Sequence, residues 1–90
     1  MPWFVKIETG IVSKKVFDQF VTEHKLYVQK LIEQGYEAKT GYWKERGGGM
    51  LLFKADSLAE AEIIVKNDPL VQNNCVEYKL YEWCIVVGSI

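Results

Sequence analysis

His24 is the only histidine of the chain and the side chain best suited to move a proton near neutral pH. It lies four residues after Phe20 and four before Val28, so the three side chains project from one face of a helix. The spacing therefore predicts that His24 points inward, toward a sheet. A histidine in that position is either a general acid or base, or a core residue whose polar atoms are satisfied by neighbours.

Asp68 is a carboxylate whose position is constrained, because Pro69 follows it directly. Proline disfavours helical angles in the residue before it, which places Asp68 at the end of the second predicted helix or just past it. A carboxylate near an imidazole can fix the tautomer of the ring and stabilise its protonated form. Alternatively, Asp68 satisfies local backbone groups at a turn. Spacing alone does not say whether it meets His24, since the two lie on different elements.

Other residues that could belong to a site have competing structural interpretations. Tyr42 and Trp43, near the end of the second predicted strand, are candidate substrate-binding residues, but large aromatics there also suit packing. The glycine-rich run 46–49 joins two strands, whereas a phosphate-binding loop joins a strand to a helix, so a hairpin turn is favoured. Cys75 and Cys84 flank one predicted strand, and a span of about 30 Å excludes a disulfide between them.

Six periodic elements would carry these residues, four with strand-like patterns and two with helical spacing. In chain order they are strand Trp3–Thr9, helix Lys14–Gln34, strand Tyr36–Trp43, strand Met50–Ala55, a helix that follows Ser57 and ends before Pro69, and strand Val76–Trp83. Ser13 and Ser57 are expected N-caps, and Gly35 is expected to end the first helix. This order predicts a ferredoxin-like βαββαβ fold, an α+β arrangement with a four-stranded antiparallel sheet and two helices on one face.

The sheet face away from the helices is predicted to be unusually apolar. We assume that the helix-facing side carries Val5, Ile7, Val76, Tyr78 and Leu80. The open face then carries Phe4, Met50, Leu52, Tyr81 and Trp83, mixed with Lys6, Glu8, Lys54, Glu77 and Lys79. Because a monomer rarely exposes such a patch, we expect two copies to pack sheet against sheet as a homodimer. The apolar tail, residues 84–90, is expected to join that contact or to extend an edge strand.

Length and composition narrow the function classes. Ninety residues suffice for one domain, residues 1–90, with a small core that association would help to stabilise. The formal net charge of −1, with both signs interspersed, disfavours nucleic acid and membrane surfaces as partners. No secretory signal or membrane-spanning apolar run is recognisable, so a cytoplasmic location is expected. One histidine and no Cys-x-x-Cys pair argue against a zinc site, and we expect the chain to act without a metal or an organic cofactor.

An ordered set of short motifs resembles the YciI-like family. The set comprises residues 24–35, 47–52, 55–61, 67–71, 76–78 and 82–83. The resemblance implies the ferredoxin-like fold of a dimeric α/β barrel, and a candidate active site whose His and Asp correspond to His24 and Asp68. The family often has Gly-Pro at the end of the second strand, where this chain has Gly41 and Tyr42, so the resemblance implies no particular substrate.

Two functions follow from these observations. In the first, the chain is a cofactor-independent enzyme in which His24 exchanges protons with a small molecule and Asp68 orients the ring, as in isomerisation, elimination or hydrolysis. In the second, the chain is a non-catalytic ligand-binding or structural dimer in which His24 and Asp68 satisfy one another. A pair that opens into an accessible cavity would favour the enzyme, and a sealed pair would favour the second function.

Overall fold

The computed structural model describes residues 1–89. Its elements are β1 (Trp3–Gly10), α1 (Lys14–Asp18), α2 (Val21–Glu33), β2 (Lys39–Tyr42), β3 (Gly49–Lys54), α3 (Leu58–Lys66), α4 (Pro69–Gln72) and β4 (Val76–Trp83). The strands form one antiparallel sheet in the order β2-β3-β1-β4, which confirms the predicted ferredoxin-like α+β fold. None of the helices in this described part of the chain is long and apolar enough to cross a bilayer.

The main core lies between the sheet and helices α2 and α3. Its buried members from the strands and these helices are Phe4, Val28, Leu31, Leu51, Phe53, Ala61, Ile64 and Val65. A smaller second cluster of buried residues consists of Leu70, Cys75 and Val76, at the junction of α4 and β4. The helices thus cover one face of the sheet and leave the other face open.

The first predicted helix, Lys14–Gln34, is wrong as a single element because the structure contains two helices there. α1 ends at Asp18, the backbone at Phe20 leaves helical angles (φ −113°, ψ 0°), and α2 begins at Val21. Neither glycine nor proline marks the break, and the helical spacing of apolar residues continues across it. The reason is tertiary packing, since Phe17 and Phe20 pack on the second cluster rather than on the main core.

The remaining boundaries follow their local signals, with two differences. β4 has the predicted bounds, and the hydroxyl of Ser57 accepts a hydrogen bond from a backbone N–H of α3 as the predicted cap. β2 is shorter than predicted because Glu37 adopts a φ of 50°, which interrupts an extended strand. Pro69, expected to end a helix, also begins the short helix α4, with Asp68 as the N-cap just past α3.

The alternation of side chains in β1 is opposite to the predicted one. Phe4 is completely buried against Phe53 in the main core, so its assignment to the open face is wrong. Lys6 and Glu8 are buried on the same side, whereas Ile7 faces the open side and is 41% exposed. Alternation misleads here because hydropathy alone assigns charged residues to the surface, and Lys6 and Glu8 are instead paired in the interior.

The other residues predicted for the open face do lie there. The strand registers place seven apolar side chains on it: Trp3, Val5, Ile7, Met50, Leu52, Tyr81 and Trp83. Tyr78 and Leu80 pack against the main core as predicted. The open face is therefore more apolar than predicted, since β1 contributes Val5 and Ile7 to it instead of Lys6 and Glu8.

The described chain contains no disulfide, as predicted from the length of the strand that separates Cys75 from Cys84. Cys75 and Cys84 are free thiols at opposite ends of β4. Burial raises the pKa of the Cys75 thiol, whereas Cys84 is exposed. In the predicted tail, Val86 and Val87 are almost fully exposed, and Ile90 lies outside the described residues.

Candidate active site

His24 projects from α2 into the space between the helices and the sheet. It is 8% exposed and shares the buried stripe of α2 with Val28 and Leu31, as the helical spacing predicts. On the next turn, the Tyr27 hydroxyl donates a 2.7 Å hydrogen bond to the backbone carbonyl of Ile64 on α3. This bond ties α2 to α3 and so holds the helix that carries His24.

Asp68 caps α4 and contacts His24 with the same carboxylate. Oδ1 accepts a 3.0 Å hydrogen bond from the backbone N–H of Leu70, an N-cap bond of the kind expected before a helix that begins with proline. Both carboxylate oxygens lie 2.9 Å from Nδ1 of His24. The structure thus brings the two predicted residues into direct contact, and Asp68 also has the local backbone role that the sequence left open.

Lys6, on the central strand β1, neutralises part of the charge of this buried carboxylate. Its Nζ lies 2.9 Å from Oδ2 of Asp68 and 2.7 Å from Oε1 of Glu8, and the Lys6 side chain is completely buried. One cation therefore bridges two carboxylates. The hydropathy pattern missed both Lys6 and Glu8. The sequence carries no local signal for either residue, because the cation that pairs with the buried Asp68 depends on which strand the fold places beside it.

The neighbours of Asp68 keep it ionised. Burial alone would raise the pKa of its carboxyl group, but the hydrogen bond from His24 and the charge of Lys6 together outweigh burial and lower that pKa. For Tyr27, burial and then the negative charge of Asp68 raise the pKa of the hydroxyl to about 12. Since Asp68 is an ionised acceptor at neutral pH, Nδ1 of His24 carries a hydrogen and donates it to Asp68.

The second ring nitrogen of His24 faces Thr40 on β2. Nε2 lies 3.1 Å from Oγ1 of Thr40, and Oγ1 lies 3.3 Å from the backbone carbonyl oxygen of Met50. Thr40 has one hydroxyl hydrogen. When that hydrogen goes to Met50, Oγ1 accepts from Nε2–H and the ring is an imidazolium; when it goes to Nε2, the ring is neutral. The site therefore accommodates both protonation states of His24 with only a rotation of the Thr40 hydroxyl.

His24 opens into a cavity of about 630 Å³ between α1, α2 and the end of the sheet near the β2–β3 turn. This volume lies within the range of small-molecule sites. The lining includes Glu8, Phe17, Val21, His24, Thr40, Tyr42 and Leu70. Of the two aromatics predicted to bind substrate, Tyr42 lines the cavity and Trp43 does not. Within residues 1–89, no three His, Cys, Asp or Glu side chains come together as metal ligands would.

Glycines shape the wall of this cavity at the β2–β3 turn. Gly48 has a φ of 124°, and a Cβ there would lie 2.3 Å from the carbonyl oxygen of Glu8. A Cβ on Gly49 would lie 2.1 Å from the carbonyl oxygen of Gly41. The registers place Gly49 between Glu8 on β1 and Tyr42 on β2, so no side chain stands between these two residues. The predicted hairpin connection is therefore also part of the cavity wall.

Comparison with known proteins agrees with this fold. The profile of the YCII-related domain matches residues 17–84, most of the chain. The chain belongs to the YCII-related family. The matched range of this YCII-related protein contains His24 and Asp68 but begins after β1, so Lys6 and Glu8 lie outside it. No curated protein sequence matches the chain.

A solved structure with the same fold comes from an enzyme. It is the 5-chloro-2-hydroxyhydroquinone dehydrochlorinase of Burkholderia phenoliruptrix in complex with 2,5-dihydroxybenzoquinone. It aligns with a TM-score of 0.71 over 91% of this YCII-related chain and 93% of the other, at 20% sequence identity. At that identity the likeness establishes the shared fold.

Proposed function

We propose that this YCII-related protein is a small-molecule enzyme in which His24 transfers protons and Asp68 orients and stabilises its ring. The observation that carries the proposal is the position of His24. Its Nδ1 is held by a buried carboxylate, and the ring lies on the wall of a cavity large enough for a small substrate. A pair sealed inside the core would instead have favoured the non-catalytic function.

In this mechanism, Asp68 determines which ring nitrogen reacts. As an ionised acceptor it keeps a hydrogen on Nδ1, so Nε2 is the atom that takes or gives a proton. When Nε2 takes a proton from the substrate, the imidazolium that forms is stabilised by the adjacent negative charge. A positioned group of this kind typically contributes about 10²–10⁴-fold to a rate. The reaction class is isomerisation, elimination or hydrolysis of a small carbonyl-bearing or cyclic compound.

The cavity lining supports a compact and partly apolar substrate. Phe17, Val21 and Leu70 supply apolar surface, and Tyr42 supplies an aromatic ring at the rim. The structural neighbour is a dehydrochlorinase in complex with 2,5-dihydroxybenzoquinone, and loss of HCl is an elimination that a general base can assist. Hydroxylated quinones and hydroquinones are therefore the first compounds to test on this chain.

The test measures binding of 2,5-dihydroxybenzoquinone and turnover of a panel of hydroxylated and chlorinated hydroquinones. Wild type is compared with His24→Ala, Asp68→Asn and the control Lys30→Gln, an exposed position on α2. We expect His24→Ala to lower kcat by at least about 10²-fold with a smaller change in KM, Asp68→Asn to lower it less, and Lys30→Gln to match wild type.

One set of results would contradict the proposed enzymatic function. If His24→Ala and Asp68→Asn bind the same compounds as tightly as wild type, no compound is turned over, and the variants lose only thermal stability, the pair is structural. The non-catalytic ligand-binding module would then be the better description of this chain.

We also propose that two copies associate through the open sheet face. The support is that Tyr81 and Trp83 remain 50% and 46% exposed on a face where seven apolar side chains lie beside the charged Lys54, Glu77 and Lys79, and a monomer rarely exposes so many apolar side chains together. Sedimentation at micromolar concentration is expected to give twice the mass of one chain. Tyr81→Glu should shift the mass toward one chain, whereas Leu26→Glu, at an exposed leucine on α2, should not. A wild-type protein that sediments as one chain contradicts this proposal.

A further inference from the structure

Lys6 and Glu8 have no part in the mechanism above, yet both charged side chains are buried. Removal of charged groups from water is costly even when they are paired, so buried ion pairs usually have a structural or chemical role. We propose that Glu8 is a second proton-transfer group of the cavity and that Lys6 is the positioning residue that couples it to His24. The inference rests on the proposed function for its chemistry, but the coupling itself is measurable without a substrate.

The contacts form a continuous chain from one cavity-facing group to the other. Glu8 lines the cavity and accepts from Nζ of Lys6 at 2.7 Å. The same Nζ donates to Oδ2 of Asp68 at 2.9 Å, and Asp68 accepts from Nδ1 of His24. Gly49 is the β3 partner of Glu8, so no neighbouring side chain on that strand covers the Glu8 carboxylate. Lys6 and Asp68 are fully buried between the two groups that reach the cavity.

Charge balance within this chain of four residues carries the argument. Lys6 contributes one positive charge, whereas Asp68 and Glu8 contribute two negative charges when both are ionised. The four residues are neutral together when they hold one further proton. That proton has two sites that face the cavity, Nε2 of His24 and the carboxyl group of Glu8. Because burial penalises net charge, we infer that protonation of one group opposes protonation of the other.

Other titratable groups near the cluster are more exposed or are uncharged. They are Lys14 and Asp18 on α1, Lys25 and Tyr27 on α2, Tyr42 on β2 and Tyr78 on β4. Lys14 and Asp18 form an ion pair at the surface, and Lys25 is exposed, so solvent and salt screen their charges. Tyr27 stays neutral because its pKa is raised to about 12. The buried Lys6 and Asp68 therefore dominate the field between Glu8 and His24.

The two protonation states suit a substrate that exchanges a proton between two of its atoms. In the first state Nε2 of His24 is unprotonated and Glu8 is protonated. Nε2 takes a proton from a carbon or oxygen of the substrate, the electrons of that bond enter the π system, and Glu8 gives its proton to a second atom. The substrate keeps its composition, and the total charge of the four residues is unchanged. Return of the proton from His24 to Glu8 through solvent completes the cycle. The substrate class is a carbonyl compound or hydroxylated ring that tautomerises.

The test follows the protonation of His24 by proton–nitrogen NMR in the protein without ligand. His24 is the only histidine, so its imidazole signals are unambiguous. Glu8→Gln removes one negative charge while keeping the shape of the side chain. We expect the midpoint of the His24 titration to fall by about one pH unit or more, a tenfold weaker proton affinity. The control Glu23→Gln, an exposed neighbour of His24 in sequence, should move the midpoint by less than about 0.3 unit.

The coupling is overturned if the midpoint moves equally in Glu23→Gln, or if it does not move in Glu8→Gln although carbon NMR of wild type shows that Glu8 is ionised at the His24 midpoint. If Glu8→Gln fails to fold, carbon NMR of the Glu8 carboxyl group in wild type decides the question. Coupling requires an inflection of that signal at the His24 midpoint, and its absence overturns the proposal. These readouts do not depend on turnover. If His24→Ala loses activity but no coupling is found, the proposed function stands and this inference fails. If coupling is found but no compound is turned over, this inference stands and the proposed function fails.

Discussion

Neighbouring residues of β1 reverse the usual relation between hydropathy and burial. Lys6 is completely buried on the helix-covered face, whereas Ile7 is 41% exposed on the open face. The covered face combines an apolar core with a cluster of charges, and the open face carries seven apolar side chains together with Lys54, Glu77 and Lys79. The difference teaches that charge pairing, as well as hydropathy, decides burial here. A charged group is stable inside when opposite charges and hydrogen bonds surround it, whereas apolar side chains on the sheet face without helices stay partly exposed in the single chain.

The strongest test of the covered face is removal of its only buried lysine within the described chain. Lys6→Met keeps an unbranched side chain but leaves Asp68 and Glu8 without their shared cation. We expect the free energy of unfolding, measured with urea, to fall by about 3–5 kcal/mol. The matched control Lys79→Met lies beside Ile7 on the open face and should change it by less than about 0.5 kcal/mol. Equal losses in the two variants would mean that the buried Lys6 contributes no more to the free energy of unfolding than an exposed lysine does.

A smaller effect is expected when only the charge of Asp68 is removed. Its pKa is lowered in the folded state, so ionisation stabilises the fold above about pH 4, and this contribution is lost as the pH falls through the lower folded pKa. Asp68→Asn should therefore reduce the free energy of unfolding by about 2 kcal/mol at neutral pH, and the difference from wild type should shrink below about pH 4. Urea unfolding across pH measures this, with the exposed Asp56→Asn as control. A difference that is independent of pH contradicts the assignment.

The contribution of the Tyr27 hydroxyl to the free energy of unfolding should have the opposite pH dependence and about half the size of the contribution of Asp68. Its folded pKa of about 12 exceeds the ordinary value of about 10, so its contribution is complete below about pH 10 and is lost as the pH rises toward 12. Tyr27→Phe should cost about 1 kcal/mol at neutral pH, from the lost hydrogen bond to Ile64. The gap to wild type should close in alkali. The exposed Tyr42→Phe serves as control, and a comparable loss there would refute the prediction.

The smallest effect on folding is expected on the open face. Ile7→Thr keeps a β-branched side chain and should lower the free energy of unfolding of single chains by less than about 1 kcal/mol. Ile64→Thr, in the main core, should lower it by about 2 kcal/mol or more. Both are measured with urea at a concentration where sedimentation finds single chains. Similar losses in the two variants would show that the open face is not a free surface of the folded chain.

Local signals in the sequence account for most of the fold. Gly35 follows α2 with a φ of 90°, as a helix-ending glycine should, and Ser13 caps α1. The main exceptions are the break between α1 and α2 and the choice of which β1 side chains face the helices. Both depend on contacts between distant elements: Phe17 and Phe20 with the second cluster, and Lys6 with Asp68. Periodicity within one segment contains no information about such contacts.

The candidate site divides in the same way. By itself, the sequence determined that His24 points inward, through its helical spacing, and that Asp68 follows α3, through the backbone restriction that Pro69 imposes. Only the tertiary structure decided that the two side chains meet, that Lys6 and Glu8 join them, and that Thr40 contacts the second ring nitrogen. The physical reason is range. Backbone angles and helical faces are set by neighbours in sequence, whereas a buried charge is satisfied by whichever strand the fold places beside it.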